Sequence, residues 1–181
     1  MSVDSDRWVE RFLRSLGRDD VATRPALVVA EHILWLRGRV DLDTTPMHVL
    51  KIVYVCHGWM LAVNDEALIT EPVEAWTYGP VVPTVYHRYK RYGAQSILED
   101  ADDRSGELGE SANALIEVIE EAYRPYTAGQ LSALTHQPGT PWDVTRRKHG
   151  IGAVIPDELI QNHFRELLAN SNRLTGAGAA G

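Results

Sequence analysis

The sequence predicts a predominantly α-helical α+β fold: a compact helical domain around one central buried helix at about 46–63, with a small β-ribbon at about 67–78. Three observations carry that prediction. From Met47 to Val63 the only formally charged residue is Lys51, and apolar residues lie on nearly all sides of the helix. Such a helix is normally enclosed by others. Most other segments repeat apolar residues every three or four positions between Gly and Pro stops, the helical period. Between Ala67 and Pro80 that period vanishes, and Pro, β-branched and aromatic residues take over.

The elements follow in order. Trp8, Phe12 and Leu16 share a face with Val9 and Leu13, which predicts a helix over 5–16, opened by Asp4 or Ser5 and stopped by Gly17. A second helix is expected over 25–37, with Pro25 at its first position and Gly38 at its end. Thr45 caps and Pro46 opens the central helix. Gly58 inside it costs about 1 kcal/mol relative to Ala, which suggests that a neighbour approaches closely there. In the ribbon, Val73, Ala75 and Thr77 alternate with Glu74, Trp76 and Tyr78. Helix returns over 82–92 with Val82, Val85, Tyr86 and Tyr89 inward, and 98–109 reads as a solvated acidic loop. A helix over 112–123 is expected behind Ser111, with Leu115, Ile116, Val118 and Ile119 inward. Thr127 and Gln130 fit a capping box ahead of a short helix. Thr140-Pro141 repeats the cap-then-proline signal for a helix stopped by Gly150. The last helix, over 156–170, carries Asp157 and Glu158 in its first turn, where the dipole favours acids. Its inward residues are expected to be Ile160, Phe164 and Leu167. Residues 171–181 read as a disordered tail.

Composition bounds the function. The chain has 181 residues, a length suited to one domain, and a net charge of -7. That charge argues against general nucleic-acid binding, which needs a basic footprint. It is local, however. Nine acids face the single base Arg104 between Leu98 and Glu121, so this segment carries -8 and the remainder +1. The lone cysteine, Cys56, excludes a disulfide framework and a cysteine-rich zinc site. No secretory leader is read at the N-terminus, and no apolar run is read as a membrane span. The expectation is a cytoplasmic protein without a membrane partner.

Cys56 and His57 are helical neighbours that point about 100° apart, so a packed thiol is preferred to a nucleophile–base pair. The seven histidines contain no i, i+4 pair of the kind that binds metal on one helix, and no metal or cofactor is expected. Glu71 and Glu74 could be paired carboxylates; a turn residue and a salt-bridge partner of a helix lysine is the preferred reading. No phosphate-binding glycine signature is present. His87-Arg88-Tyr89-Lys90-Arg91-Tyr92 interleaves bases with aromatics, the best local case for nucleic acid. Trp76 and Tyr78 beside the Gly79-Pro80 turn could form a rigid binding platform, since aromatics bury much area with little entropy loss.

These residues carry a resemblance. Lys51-Ile52-Val53-Tyr54-Val55-Cys56-His57-Gly58-Trp59, Glu71 through Pro83 with Pro72, Glu74, Trp76, Gly79 and Pro80, then Val85-Tyr86-His87 and Tyr92-Gly93, resemble the SocA-like antitoxin family. This is the Panacea domain, which includes GepA-like phage-associated proteins. Leu134-Thr135-His136 and Pro141-Trp142 match a later family element. Cys56 stands where Gln is common. The resemblance spans about 44–168 and implies an antitoxin domain over 41–170, with residues 1–40 as a helical extension packed on it.

It further implies a non-enzymatic antitoxin of a type II toxin–antitoxin or phage-defence module, without catalytic residues. Its partner would be a cognate toxin protein, neutralised by direct binding. Delivery to a ClpXP-type protease is a further route, as in the founding member. Trp76, Tyr78 and Tyr86, with His87, Arg88 and Arg91 around them, are the expected toxin contacts. Lys51, Tyr54, Gly58, Trp59, Pro72, Glu74, Gly79, Pro80, Thr135, His136 and Trp142 are expected to build the domain, with Lys51 and Glu74 as a buried ion pair. Two alternatives stand beside this: a nucleic-acid-binding regulator using Arg88 to Arg91, and a small hydrolase using His136 and a carboxylate.

Overall fold

The computed structural model describes residues 23–176, with side chains described as far as Asn170. The expected helix over 5–16 and the last residues of the tail lie outside that range. Helix α1 is Ala26–Gly38 and helix α2 is Pro46–Asn64. Pro25 stands just ahead of α1 rather than at its first position. Ala26, Val29, Ala30 and Ile33 of α1 are fully buried against the same core as α2. Every residue from Val49 to Leu61 is buried, as the all-round apolar composition of α2 requires. By length and composition alone α2 could cross a membrane, so the reading that no run approaches such a span needs correction; its apolar stretch is mostly buried within the fold. The Thr45 hydroxyl and the His48 ring close a capping box at its start.

The ribbon lies later than expected. β1 is Glu74–Trp76 and β2 is Gly79–Val81, antiparallel, with Glu74 opposite Val81 and Trp76 opposite Gly79. The shift has a physical cause: Gly79, at φ +107°, supplies the turn, while Pro72 has no N–H for a ladder. Residues 152–155 run antiparallel along the other side of β1. Gly152 N–H donates to the Ala75 carbonyl, Ala75 N–H to the Ala153 carbonyl, and Ile155 N–H to the Val73 carbonyl, each at 2.8 Å. Two residues, Gly152 and Ala153, thus oppose Ala75. With Gly152 at φ +83°, this is a glycine bulge.

Helix α3, Pro83–Tyr89, leads into a 3₁₀ turn at Lys90–Tyr92 that Gly93 ends. The acidic segment is not all solvated loop. Ser105–Leu108 form a short helix, α4, because Leu108 inserts into the core at 1% exposure. Helix α5, Glu110–Tyr123, begins earlier than expected, so Ser111 is buried inside it and Gly109 takes the cap position. Helices α6, Ala128–Thr135, and α7, Pro141–His149, carry the caps foreseen at Thr127 and Thr140. Helix α8, Asp157–Gly176, crosses α2. Its Phe164 ring lies where a Cβ on Gly58 would overlap it, so glycine is the close approach that the sequence suggested. Tyr54 and Trp59 meet the same ring edge-on, at 5.8 and 5.3 Å between centroids. Leu167 is 41% exposed rather than inward, and Leu168 packs on the core instead.

Candidate protein-contact site

Lys51 anchors the ribbon from below. Its side chain is fully buried, and its Nζ donates to the Tyr78 carbonyl at 2.7 Å and the Pro80 carbonyl at 3.1 Å. The first is the last turn residue before β2 and the second lies on the outer edge of β2, so the ammonium closes the edge that another strand could otherwise pair. The expected Lys51–Glu74 ion pair does not form. Glu74 instead accepts from Trp76 Nε1 at 2.7 Å. The geometry explains why: Glu74 is half-buried on the outward face, whereas Lys51 lies beneath the turn. Burial pulls the Lys51 ammonium down to about 7.

Gly79 completes this seat. A Cβ there would overlap Lys51 Nζ and come within 3.1 Å of His136 Cε1. His136 Nδ1–H donates to the Ser132 carbonyl at 2.6 Å, and its ring meets Trp142 edge-on at 4.1 Å. Trp142 Nε1 then donates to the Trp76 carbonyl at 2.8 Å. Thr135 is buried, and its carbonyl accepts from the Thr140 hydroxyl, tying α6 to the start of α7. Thus Lys51, Gly79, Pro80, His136 and Trp142 form one framework that fixes the hairpin. Pro72 is exposed and lies outside it.

The hairpin carries an aromatic face. Trp76 meets Tyr86 at 4.8 Å and His87 at 6.4 Å between ring centroids, and Tyr86 meets His87 at 5.4 Å. Tyr78, at the turn, is 70% exposed. Trp76 and Tyr86 are half-buried and His87 exposed, so the face is both supported and open. Arg88 and Arg91 do not present free charge. Both pair with Glu99: Arg88 through two bonds, one of 2.7 Å, and Arg91 at 2.9 Å. Arg88 and Glu99 also line a polar cleft of about 180 Å³ with Glu31 and Arg104. Arg104 in turn pairs with Glu31 at 2.7 Å and Glu107 at 2.8 Å.

Several interactions had no local signal in the sequence. Glu71 accepts the Ala26 N–H at 2.8 Å, so it caps α1 from 45 positions away. Buried His57 meets Asp157 at 3.1 Å. Arg37 and Glu120 form a buried ion pair at 3.3 Å. Cys56 is buried, and its thiol is pushed up by desolvation, as a packed thiol should be. Among the described residues no group of His, Cys, Asp and Glu side chains could hold a metal ion.

The fold and this face define a helical α+β domain that displays aromatic side chains on a braced hairpin. The family model "Antitoxin SocA-like, Panacea domain" matches residues 49–143, which span Lys51, the hairpin, His136 and Trp142. The chain belongs to the SocA-like antitoxin, Panacea domain family. It is also similar to Antitoxin SocA of Caulobacter vibrioides (strain NA1000 / CB15N), at 29% identity over 154 residues, covering 77% of this chain and 82% of that protein. No solved structure matches.

Proposed function

We propose that this chain is the antitoxin of a type II toxin–antitoxin or phage-defence module. It neutralises a cognate protein toxin by direct, non-catalytic contact through Trp76, Tyr78, Tyr86 and His87, with Arg88 and Arg91 at the rim. The observation that carries the reading is the likeness to Antitoxin SocA over most of both chains. The braced aromatic face supports it, because rigid, partly buried aromatics are the side chains that dominate protein interfaces. The pairing of Arg88 and Arg91 with Glu99 also favours this face over the nucleic-acid alternative, since paired arginines displace fewer phosphate counterions.

The test is co-expression of this chain with the protein encoded by the adjacent reading frame. Growth arrest by that protein alone and rescue by the pair are expected. Trp76→Ala with Tyr86→Ala should abolish rescue, each truncation costing about 2 kcal/mol of binding, while circular dichroism stays unchanged. Full rescue by the folded double variant would refute this contact face. Intact-mass measurement of the neutralised toxin should show no chemical change. Repeating the rescue in a host lacking ClpX separates binding from delivery to a ClpXP-type protease.

A further inference from the structure

The geometry points to the sheet edge at residues 153–155 as the place where the toxin adds an extended strand of its own, its acidic side chains lying beside the basic end of α7; this rests on the antitoxin reading above. The ribbon has two outer edges, and they differ. The β2 edge is closed, because the Pro80 ring removes a donor and Lys51 takes the outward carbonyls of Tyr78 and Pro80. The opposite edge is open. Gly152, Ala153 and Ile155 spend their inward groups on Val73 and Ala75, while Val154 lies opposite Glu74 in the intervening bridge. In an antiparallel ladder such a residue turns both its N–H and its C=O away from the partner strand. Among the described residues no backbone group pairs with them. An exposed donor and acceptor of this kind are what an added strand pairs with.

Side chains favour the same use. Val154 is 54% exposed and Ile151 64% exposed, an apolar pair at the edge. Strand alternation puts Val154 on the same face as Glu74 and Trp76, so the edge continues the aromatic face already described. Arg146, Arg147, Lys148 and His149 immediately precede it in the last turn of α7. Arg147 is paired with Asp143, and Arg146 lies over the Trp142 ring, which leaves Lys148 exposed at the mouth of the edge. A strand ending in Asp or Glu meets complementary charge there, which fixes its direction more than its affinity.

Amide hydrogen exchange on the full chain tests this, free and in complex with the protein encoded by the adjacent reading frame. The Val154 amide should exchange freely in the free chain and slow by about tenfold or more in the complex. Val154→Pro removes the outward N–H without touching a bond used inside the ribbon. It should weaken the complex by about tenfold, whereas Val154→Thr, which keeps the N–H, should stay within about twofold. Lys148→Glu should slow association and flatten its salt dependence. A complex that rescues growth yet leaves the Val154 amide unprotected overturns the edge docking and leaves the antitoxin reading standing. Protection already present in the free chain overturns it as well, because another segment then covers the edge. Failure of rescue by the unaltered chain overturns both.

Discussion

Lys51 and Arg37 are both buried cations, on neighbouring helices, and the protein holds them by opposite means. Lys51 faces two backbone carbonyls, whereas Arg37 faces the Glu120 carboxylate and the Thr44 hydroxyl, with Arg124 on the far side of Glu120. Carbonyls carry only partial charge, so they offset part of the desolvation of an ammonium. The Lys51 proton is therefore held loosely, and its pKa falls to about 7. Burial also lowers the Arg37 pKa, but a guanidinium starts so high that it stays charged. One site is a brace under the aromatic hairpin whose charge can change; the other is a permanent ionic lock between α1 and α5.

The largest expected effect breaks the lock. Glu120→Ala leaves Arg37 buried without its carboxylate and should cost about 3–5 kcal/mol, measured as a loss of denaturant midpoint at constant slope. A cost under about 1 kcal/mol would mean that water reaches Arg37 and that the two cations are less different than their burial indicates. Next, Gly79→Ala forces a Cβ against Lys51 and imposes positive φ on alanine. It should cost about 2–4 kcal/mol and shift the near-ultraviolet signal of Trp76 and Trp142. An unchanged aromatic signal would detach the brace from the aromatic face.

The third prediction concerns pH. The folded pKa of Lys51 lies below its unfolded value, so between about 7 and 10.5 the unfolded chain binds more protons and stability rises with pH. The neutral amine still has two N–H groups for the two carbonyls, so deprotonation removes a desolvated charge without stranding an acceptor. The buried Cys56 thiol and Tyr54 phenol are pushed upward, which opposes the gain above about pH 9. The clean window is therefore pH 7–9. There the wild type should gain on the order of 2 kcal/mol relative to Lys51→Met. Parallel curves for the two proteins would show that Lys51 keeps its proton throughout.

The contrast also shows where the sequence was readable. Helix α2, with Lys51 alone among apolar residues, announces its own enclosure, and the caps at Thr45, Thr127 and Thr140 are local signals that need no tertiary knowledge. Gly58 signalled a close neighbour, although the identity of Phe164 had to wait for the structure. The partners of Lys51 are not legible in the sequence because backbone carbonyls have no letter: Glu74 is an acid of the motif, yet it serves Trp76. Glu71 on Ala26, Asp157 on His57 and Glu120 on Arg37 span 45, 100 and 83 positions, so no local spacing encodes them. The 152–155 strand is hidden for a related reason. A segment this short, opened by a glycine bulge, carries no alternation. Of the proposed contact residues, Trp76, Tyr86 and His87 do converge, while Arg88 and Arg91 are claimed by Glu99 from a segment that reads as plain solvated loop.

The smallest expected effect asks how much of the Arg37 lock depends on its second partner. Thr44 Oγ1 accepts from Arg37 Nε at 2.8 Å and donates to the Leu42 carbonyl at 3.0 Å. Thr44→Val keeps the branched shape and removes both bonds. Because Glu120 still neutralises the guanidinium, the loss should stay near that of one buried hydrogen bond to a charged group, about 1–2 kcal/mol. A double-mutant cycle with Glu120→Ala should show coupling, since both residues hold one guanidinium. Strict additivity would mean that Thr44 shapes the turn before α2 and does not position Arg37. In that case the contrast with Lys51 would narrow to a single ion pair set against two carbonyls.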